Sequence, residues 1–307
     1  MDGASDFDFA SFGPGDQERN RALAAIQELD GGWKASSTTL SFGAMRWRPD
    51  LQDGEQRALH LTLTGEIPGA LKQRLRAAHE AGMRITVALG SRGVDMPTLE
   101  FVQAIDARIV AVDWGEEGSG VRIYRSVADW IATERISLAP DELRKLAEAR
   151  LDAALAEPTN VKGRYYEETL CLVFSQVPWL TVEEHAYRNA SEEIDLVLGI
   201  HATGHVAALV KGGVAVATAK NESTATGSNT VKYLKEQVAN RKGRCTLGFL
   251  CSASTISKDA RTEVLRGSQS AETVIVQLDL DDLRNLIRNS EELDQGLQRL
   301  IIRAVNA

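Results

Sequence analysis

Apolar positions in the first half of the chain fall into short runs separated by stretches of helical period. Residues 58–64 (ALHLTLT), 84–89 (RITVAL) and 108–114 (RIVAVDW) have the length and β-branched content of strands. RITVAL, the least interrupted, reads as a buried parallel strand ending in the loop Gly90-Ser91-Arg92-Gly93. Between these runs lie LKQRLRAAHEA, opened by Pro68 and stopped by Gly82, and PTLEFVQAI, both helical in pattern. An amphipathic segment from Asp16 to Leu29, closed by Gly31-Gly32, predicts a further helix, and residues 38–47 are strand-like. Strand–helix–strand–helix–strand order implies a parallel sheet with helical crossovers.

Residues 140–156 (PDELRKLAEARLDAALA) form helix readily, with Pro140 and Asp141 at the start, and read as a bridge between domains. The turn residues Glu157-Pro158-Thr159-Asn160 mark the boundary. The expected organisation is a flexible arm (1–15), a small α/β domain including the bridging helix (16–157) and a second domain (158–307). That second domain predicts a helix at 161–175, strands at 181–188 and 192–199, a strand or turn at 205–210, and a strand at 214–219 after Gly212-Gly213. A helix at 229–241, a strand at 245–252 (CTLGFLCS), a helix at 257–266, a strand at 273–278 and helices at 280–288 and 291–305 complete it. A strand meander followed by helix–strand–helix–strand gives a mixed sheet with helices on its faces, so both domains are expected to be α/β.

Composition narrows the function classes. A length of 307 residues with 43% hydrophobic and 25% charged side chains provides for two cores and excludes a disordered chain. No apolar stretch is long enough to span a membrane, and the acidic start MDGASDFDFASFGPGDQ does not resemble a secretory signal. Cys171, Cys245 and Cys251 are too few and too irregular for a disulfide framework or a four-ligand zinc site, so a reduced, cytoplasmic protein is expected. A net charge of -8 argues against a general nucleic-acid coat. The charge is uneven: residues 1–158 carry 18 basic against 25 acidic side chains, and residues 159–307 carry 17 against 18, which leaves room for a local basic surface.

Four pieces of the second half carry candidate chemistry. Lys162-Gly163-Arg164-Tyr165-Tyr166-Glu167 opens a helix, Glu193-Ile194-Asp195-Leu196-Val197-Leu198 forms a strand, and Val216-Ala217-Thr218-Ala219-Lys220-Asn221 ends the next one; a helix and CTLGFLCS follow. Strand alternation places Asp195 and Lys220 where they can meet across neighbouring strands. Phosphodiester hydrolysis needs this type of set, because carboxylates hold Mg²⁺ and a lysine orients water or stabilises developing charge.

The arrangement resembles the restriction-endonuclease-like nucleases, the PD-(D/E)xK superfamily, and within it the Mrr-like and Holliday-junction-resolvase-like branches, over about residues 160–280. The resemblance implies a restriction-endonuclease-like fold and an Mg²⁺- or Mn²⁺-dependent DNA endonuclease of prokaryotic restriction, repair or anti-phage defence. Asp195 is then the main metal ligand, Glu167 the accessory carboxylate and Lys220 the catalytic lysine. The usual Glu-x-Lys motif is broken, with Thr218 at the Glu position. Either the site is inactive, or Glu167 substitutes, or Glu222 folds back from the following loop. The alternative is a catalytically degenerate subunit that binds nucleic acid or protein.

Lys232, Lys235, Arg241, Lys242 and Arg244 form a candidate phosphate-contacting surface, or else the solvated face of a helix whose Val231, Leu234 and Val238 turn inward. Tyr165 and Tyr166 are candidates for base stacking or for packing. In the first domain Gly90, Ser91, Arg92 and Gly93 form a possible ligand loop, consistent with a regulatory or specificity role. His201 and His205 are the only histidines at a ligand-like spacing, across a glycine turn that disfavours zinc. DNA, a second copy of the chain or a partner protein of a defence complex are the expected partners.

Overall fold

The computed structural model describes residues 14–54, 56–62, 64–90, 94–115, 118–156, 159–188, 193–201, 208–210, 212–268 and 273–306. The chain divides into two compact units, Met1–Val127 and Ala128–Ala307. Both are α/β, as the hydrophobic pattern predicts. Among the described residues no helix is long and apolar enough to cross a membrane.

The first unit runs α1 (Pro14–Leu29), β1 (Lys34–Ala35), β2 (Leu40–Phe42), β3 (Met45–Trp47), β4 (Leu51–Asp53) and β5 (Arg57–Thr62). It continues through α2 (Gly69–Glu80), β6 (Arg84–Gly90), α3 (Met96–Ala104), β7 (Arg108–Gly115) and β8 (Gly118–Tyr124). Its main sheet has the order β1-β4-β5-β6-β7-β8, and β2 and β3 form a separate hairpin. The expected parallel arrangement holds for β5, β6 and β7. Antiparallel β4 and β8 flank them and make the sheet mixed. Residues Ile85–Gly90 of β6 are all buried, the consequence of its central place and the reason for its unbroken apolar run.

Ala22 and Ile26 of α1 pack with Trp33, Leu51, Leu59, Leu61, Ala88, Val110 and Val112. The N-terminus of α3 is capped by Asp95, whose Oδ1 accepts from the Thr98 N–H at 2.9 Å. Gly82 follows α2 with φ +84°, a conformation that glycine adopts without steric cost. The expected arm, apart from Pro14 and Gly15 in α1, lies outside the described residues. So do Ser91, Arg92 and Gly93 of the candidate ligand loop, whereas Gly90 is the buried last residue of β6.

The second unit runs α4 (Val127–Thr133), α5 (Pro140–Ala156), α6 (Thr159–Ser175), β9 (Leu180–Arg188), β10 (Glu193–Ile200), β11 (Val214–Lys220) and α7 (Ser228–Ala239). After these come β12 (Cys245–Ser252), α8 (Lys258–Ser268), β13 (Val274–Leu278), α9 (Leu280–Arg288), a 3₁₀ turn (Ser290–Glu292) and α10 (Leu293–Val305). The sheet order is β13-β12-β11-β10-β9. Strands β9, β10 and β11 are an antiparallel meander, and β11, β12 and β13 are parallel. Every residue of β12 is buried, as its continuous apolar run requires.

Val231, Leu234 and Val238 of α7, with Ala260 and Val264 of α8, close over Val216, Leu250 and Ile275. Residues of β12 alternate between faces, and on the face opposite Leu250 Phe249 meets Phe174 of α6, ring centroids 5.0 Å apart. Residues 202–207 lie outside the described residues, and Ala208 and Leu209, expected in a strand or turn, are helical.

The expected boundary at 157/158 falls inside the second unit, and those two residues lie outside the described ones. Helix α5 is not a bridge but one half of a helical pair with α6. Arg150 Nη2 meets Glu168 Oε2 at 2.7 Å, with side chains 3% and 1% exposed, and the guanidinium lies 4.2 Å from the Tyr165 ring centroid. Removing one partner strands a buried charge, whereas removing both does not. In urea denaturation, Arg150→Met is expected to cost about 3–5 kcal/mol and Arg150→Met/Glu168→Leu to recover most of that loss. Equal, small losses in both variants would contradict this account of the helical pair.

Candidate active site

The parallel ladder between β11 and β12 continues to the end of both strands, at Lys220↔Ser252. On the other side, the ladder between β10 and β11 stops at Leu196↔Ala217 while β10 remains paired with β9 as far as Glu193↔Arg188. The sheet therefore forks at the start of β10 and the end of β11. Backbone groups that lose their strand partner in a buried setting need another, and side chains provide it. Asp195 Oδ2 accepts from the Ala219 N–H at 2.6 Å. Glu193 donates its N–H to Tyr233 Oη at 3.3 Å, and its carbonyl accepts from Tyr233 Oη at 3.1 Å and from Gln237 Nε2 at 2.7 Å.

Asp195 on β10 and Lys220 at the end of β11 flank the fork, and Glu167 on α6 lies within electrostatic reach of Asp195. Asp195 and Lys220 are both half-buried. Glu167, on α6, has a side chain 21% exposed. The electrostatics link all three: burial pushes Asp195 up to about 6 against the Ala219 N–H, Glu167 raises it further and Lys220 lowers it, and Glu193 adds a smaller upward push. Glu167 is held from below by His185, whose Nε2 lies 3.3 Å from Glu167 Oε2 and whose side chain is 7% exposed.

Burial works against a charge on His185, while the Cys171 thiol and Glu167 favour it, and the imidazole lies above its ordinary value. Burial also raises Cys171, which is fully enclosed and stays a neutral thiol, so Glu167 is the charge that matters to His185.

Ala186, beside His185, has φ +56°, unusual for a residue with a Cβ, and the register Ile194↔Tyr187 and Leu196↔His185 places it opposite Asp195. Backbone strain of this type costs about 1–2 kcal/mol and gathers at functional sites.

Thr218 is buried, and its Oγ1 donates to Gln237 Oε1 at 3.2 Å. Its hydroxyl is thus engaged with α7. Glu222 is exposed just beyond β11. Tyr165 and Tyr166 are packing residues, 9% and 0% exposed, and neither has a face open for a base. Of the candidate cationic surface, Lys232, Lys242 and Arg244 are exposed, Lys235 is bound to the Glu263 carbonyl and carboxylate, and Arg241 Nη1 donates to the Gln237 carbonyl at 2.8 Å. His201 is exposed and His205 lies outside the described residues.

Comparison with protein families, with curated proteins and with solved structures finds no match.

Sequence reasoning missed His185, Gln237 and Tyr233. Gln237 had a signal, an amide beside Val238 on the inward face of an amphipathic helix. His185 had none, because only the pairing of β9 with β10 under α6 gives it a role.

A carboxyl whose folded value lies above the unfolded one favours folding in its protonated form. That contribution is complete below the ordinary value of 3.8, is lost as pH rises through about 6, and leaves ionised Asp195 costing about 3 kcal/mol above that. Asp195→Asn keeps an acceptor for Ala219 and removes the charge. It is expected to stabilise the protein by about 2–3 kcal/mol at about pH 8 and by little at about pH 4, read from urea unfolding at the two pH values. A destabilising effect of equal size at both would contradict the assignment.

Proposed function

We propose that the second unit is a metal-dependent phosphodiesterase that cleaves DNA, with Asp195 and Glu167 as cation ligands and Lys220 as the cation that faces the phosphate. The observation that carries this reading is the fork, which gathers two carboxylates and a lysine around the open ends of β10 and β11. The resemblance to restriction-endonuclease-like nucleases points the same way.

The donor set fits a hard cation. Glu167 and Asp195 offer oxygen ligands and repel each other's charge, a cost that a bound cation relieves. Among the described residues there is no group of three or more His, Cys, Asp or Glu arranged to hold a metal. Mg²⁺ suits such a site, since it keeps several waters and accepts one or two carboxylates together with substrate phosphate oxygens. When bound it would lower the pKa of a water and neutralise phosphate charge.

The chain's own groups do the remaining work. With Oδ2 committed to Ala219, Asp195 keeps Oδ1 to offer. His185 orients Glu167 through its Nε2 contact. Lys220 would offer a cation to the charge that grows on the phosphate, of the type that lowers such barriers. Glu167 is then the carboxylate that makes good the missing motif Glu.

One observation favours a second reading. Thr218 is uncharged, buried and bonded to Gln237, so it adds nothing to a cation site, and a binding subunit without catalysis would have the same fork. Supercoiled plasmid and single-stranded DNA, incubated at low salt with Mg²⁺ or Mn²⁺, separate the two. The expected result is nicking by the wild type that falls about 100-fold or more in Asp195→Ala. Equal nicking by both proteins would overturn the assignment of Asp195, and cleavage by neither would favour the binding subunit.

A further inference from the structure

We propose that Tyr233 is a stacking platform for an unpaired base, so that the fork takes a single-stranded stretch of nucleic acid. This rests on the nuclease reading of the fork and adds the substrate class to it.

Among the described residues Tyr233 is the most exposed aromatic side chain, at 41%. Its polar and apolar ends are used in the reverse of the ordinary way. A tyrosine at a protein surface generally buries its ring and leaves the hydroxyl in water. In Tyr233 the hydroxyl is committed twice, accepting from the Glu193 N–H and donating to the Glu193 carbonyl, while the ring meets solvent. The two bonds fix an exposed ring that would otherwise rotate, so little freedom remains to be lost when a flat partner settles on it.

Tyr233 is tied to the same strand end that carries Asp195. Glu193 precedes Asp195 by two residues on β10, about 7 Å along the strand. Tyr233 thus stands at the mouth of the fork. Lys232, exposed and next to Tyr233 in α7, and Lys220, half-buried at the end of β11, are the cations that these elements offer to a nucleic-acid backbone. An aromatic face with flanking cations is the combination by which proteins hold single strands, because every base has a face to stack.

A duplex offers no such face without unstacking. Duplex binding driven by charge would also call for a broad cationic surface, and only Lys232, Lys242 and Arg244 of the five candidate cations are exposed in a chain of net charge -8.

The test uses the full chain in EDTA, so that binding is read without cleavage. A short fluorescein-labelled oligodeoxynucleotide and its duplex are titrated by anisotropy against the wild type, Tyr233→Phe and Tyr233→Leu. A second single strand carries 2-aminopurine to report stacking. The wild type is expected to prefer the single strand and to quench 2-aminopurine. Tyr233→Phe loses both contacts to Glu193, and with them the fixing of the ring, but keeps the aromatic face, and is expected to lose only about two- to fivefold. Tyr233→Leu is expected to lose about 10–100-fold for the single strand, to abolish quenching and to leave duplex binding unchanged.

Equal single-strand affinity in Tyr233→Leu would overturn the proposal. So would a Phe variant as weak as the Leu variant, which would make Tyr233 a backbone cap alone, or a wild type that prefers the duplex or binds neither. Failure here leaves the plasmid cleavage result standing, and a protein that cuts nothing can still pass.

Discussion

The hydrogen bond from the Ala219 N–H to Asp195 Oδ2 is the contact on which the rest of the second unit's site depends. Without an acceptor there, the Ala219 N–H would be left without the strand partner that β10 no longer supplies. Strand β11 cannot move to meet β10, because it is held to β12 through Lys220↔Ser252 and by the Ala253 N–H on the Lys220 carbonyl at 2.8 Å. Strand β10 is held in turn by β9. The sheet consequently divides into β13-β12-β11 and β10-β9 at one end, and the side chains of Asp195, Tyr233 and Gln237 replace the ladder that is given up. A buried backbone group left unpaired costs about 1–3 kcal/mol, a penalty that bears on the part-buried Asp195 and Gln237 bonds and little on the exposed Tyr233 ones.

Holding the fork open concentrates polar groups on the face of the sheet covered by α6. Glu167 and His185, Arg150 and Glu168, and the fully buried Tyr166 hydroxyl, which has no hydrogen-bond partner among the described residues, all belong to α6 or its immediate neighbours. Asn221, the residue after Lys220, ties the same region together by donating to the Ala154 carbonyl at 2.8 Å and the Lys162 carbonyl at 2.7 Å. The end of α5, the start of α6 and the end of β11 are thus fixed to one another by a single amide. A core of this kind is less stable than an apolar one of the same size, and the raised proton affinity of Asp195 is the same cost seen at one residue.

Most of the fold is legible in the sequence because its signals are local. RITVAL and CTLGFLCS are buried on both faces and read as unbroken apolar runs, and Gly82 and Asp95 punctuate helices where the pattern places them. Strands β4 and β8 left no comparable trace, one being three residues long and the other opening with Gly118-Ser119-Gly120. The turn residues 157–160 read as a domain boundary, whereas the second compact unit already begins at Ala128, because α5 packs on α6 through contacts such as Arg150 with Glu168 that no local signal announces. For the candidate site, strand alternation put Asp195 and Lys220 on neighbouring strands, which β10 and β11 are. His185 and Tyr233 were not legible, since a bulge in the β9–β10 pairing and the fork itself decide what they touch.

The central claim is that the fork forms a cation site from Asp195 and Glu167. Crystals of the full chain soaked in Mn²⁺ and measured at the manganese absorption edge test it directly. The account requires an anomalous peak between the Asp195 and Glu167 carboxylates that is absent from Asp195→Asn crystals. No peak at the fork in the wild type, with both side chains ordered, would contradict it.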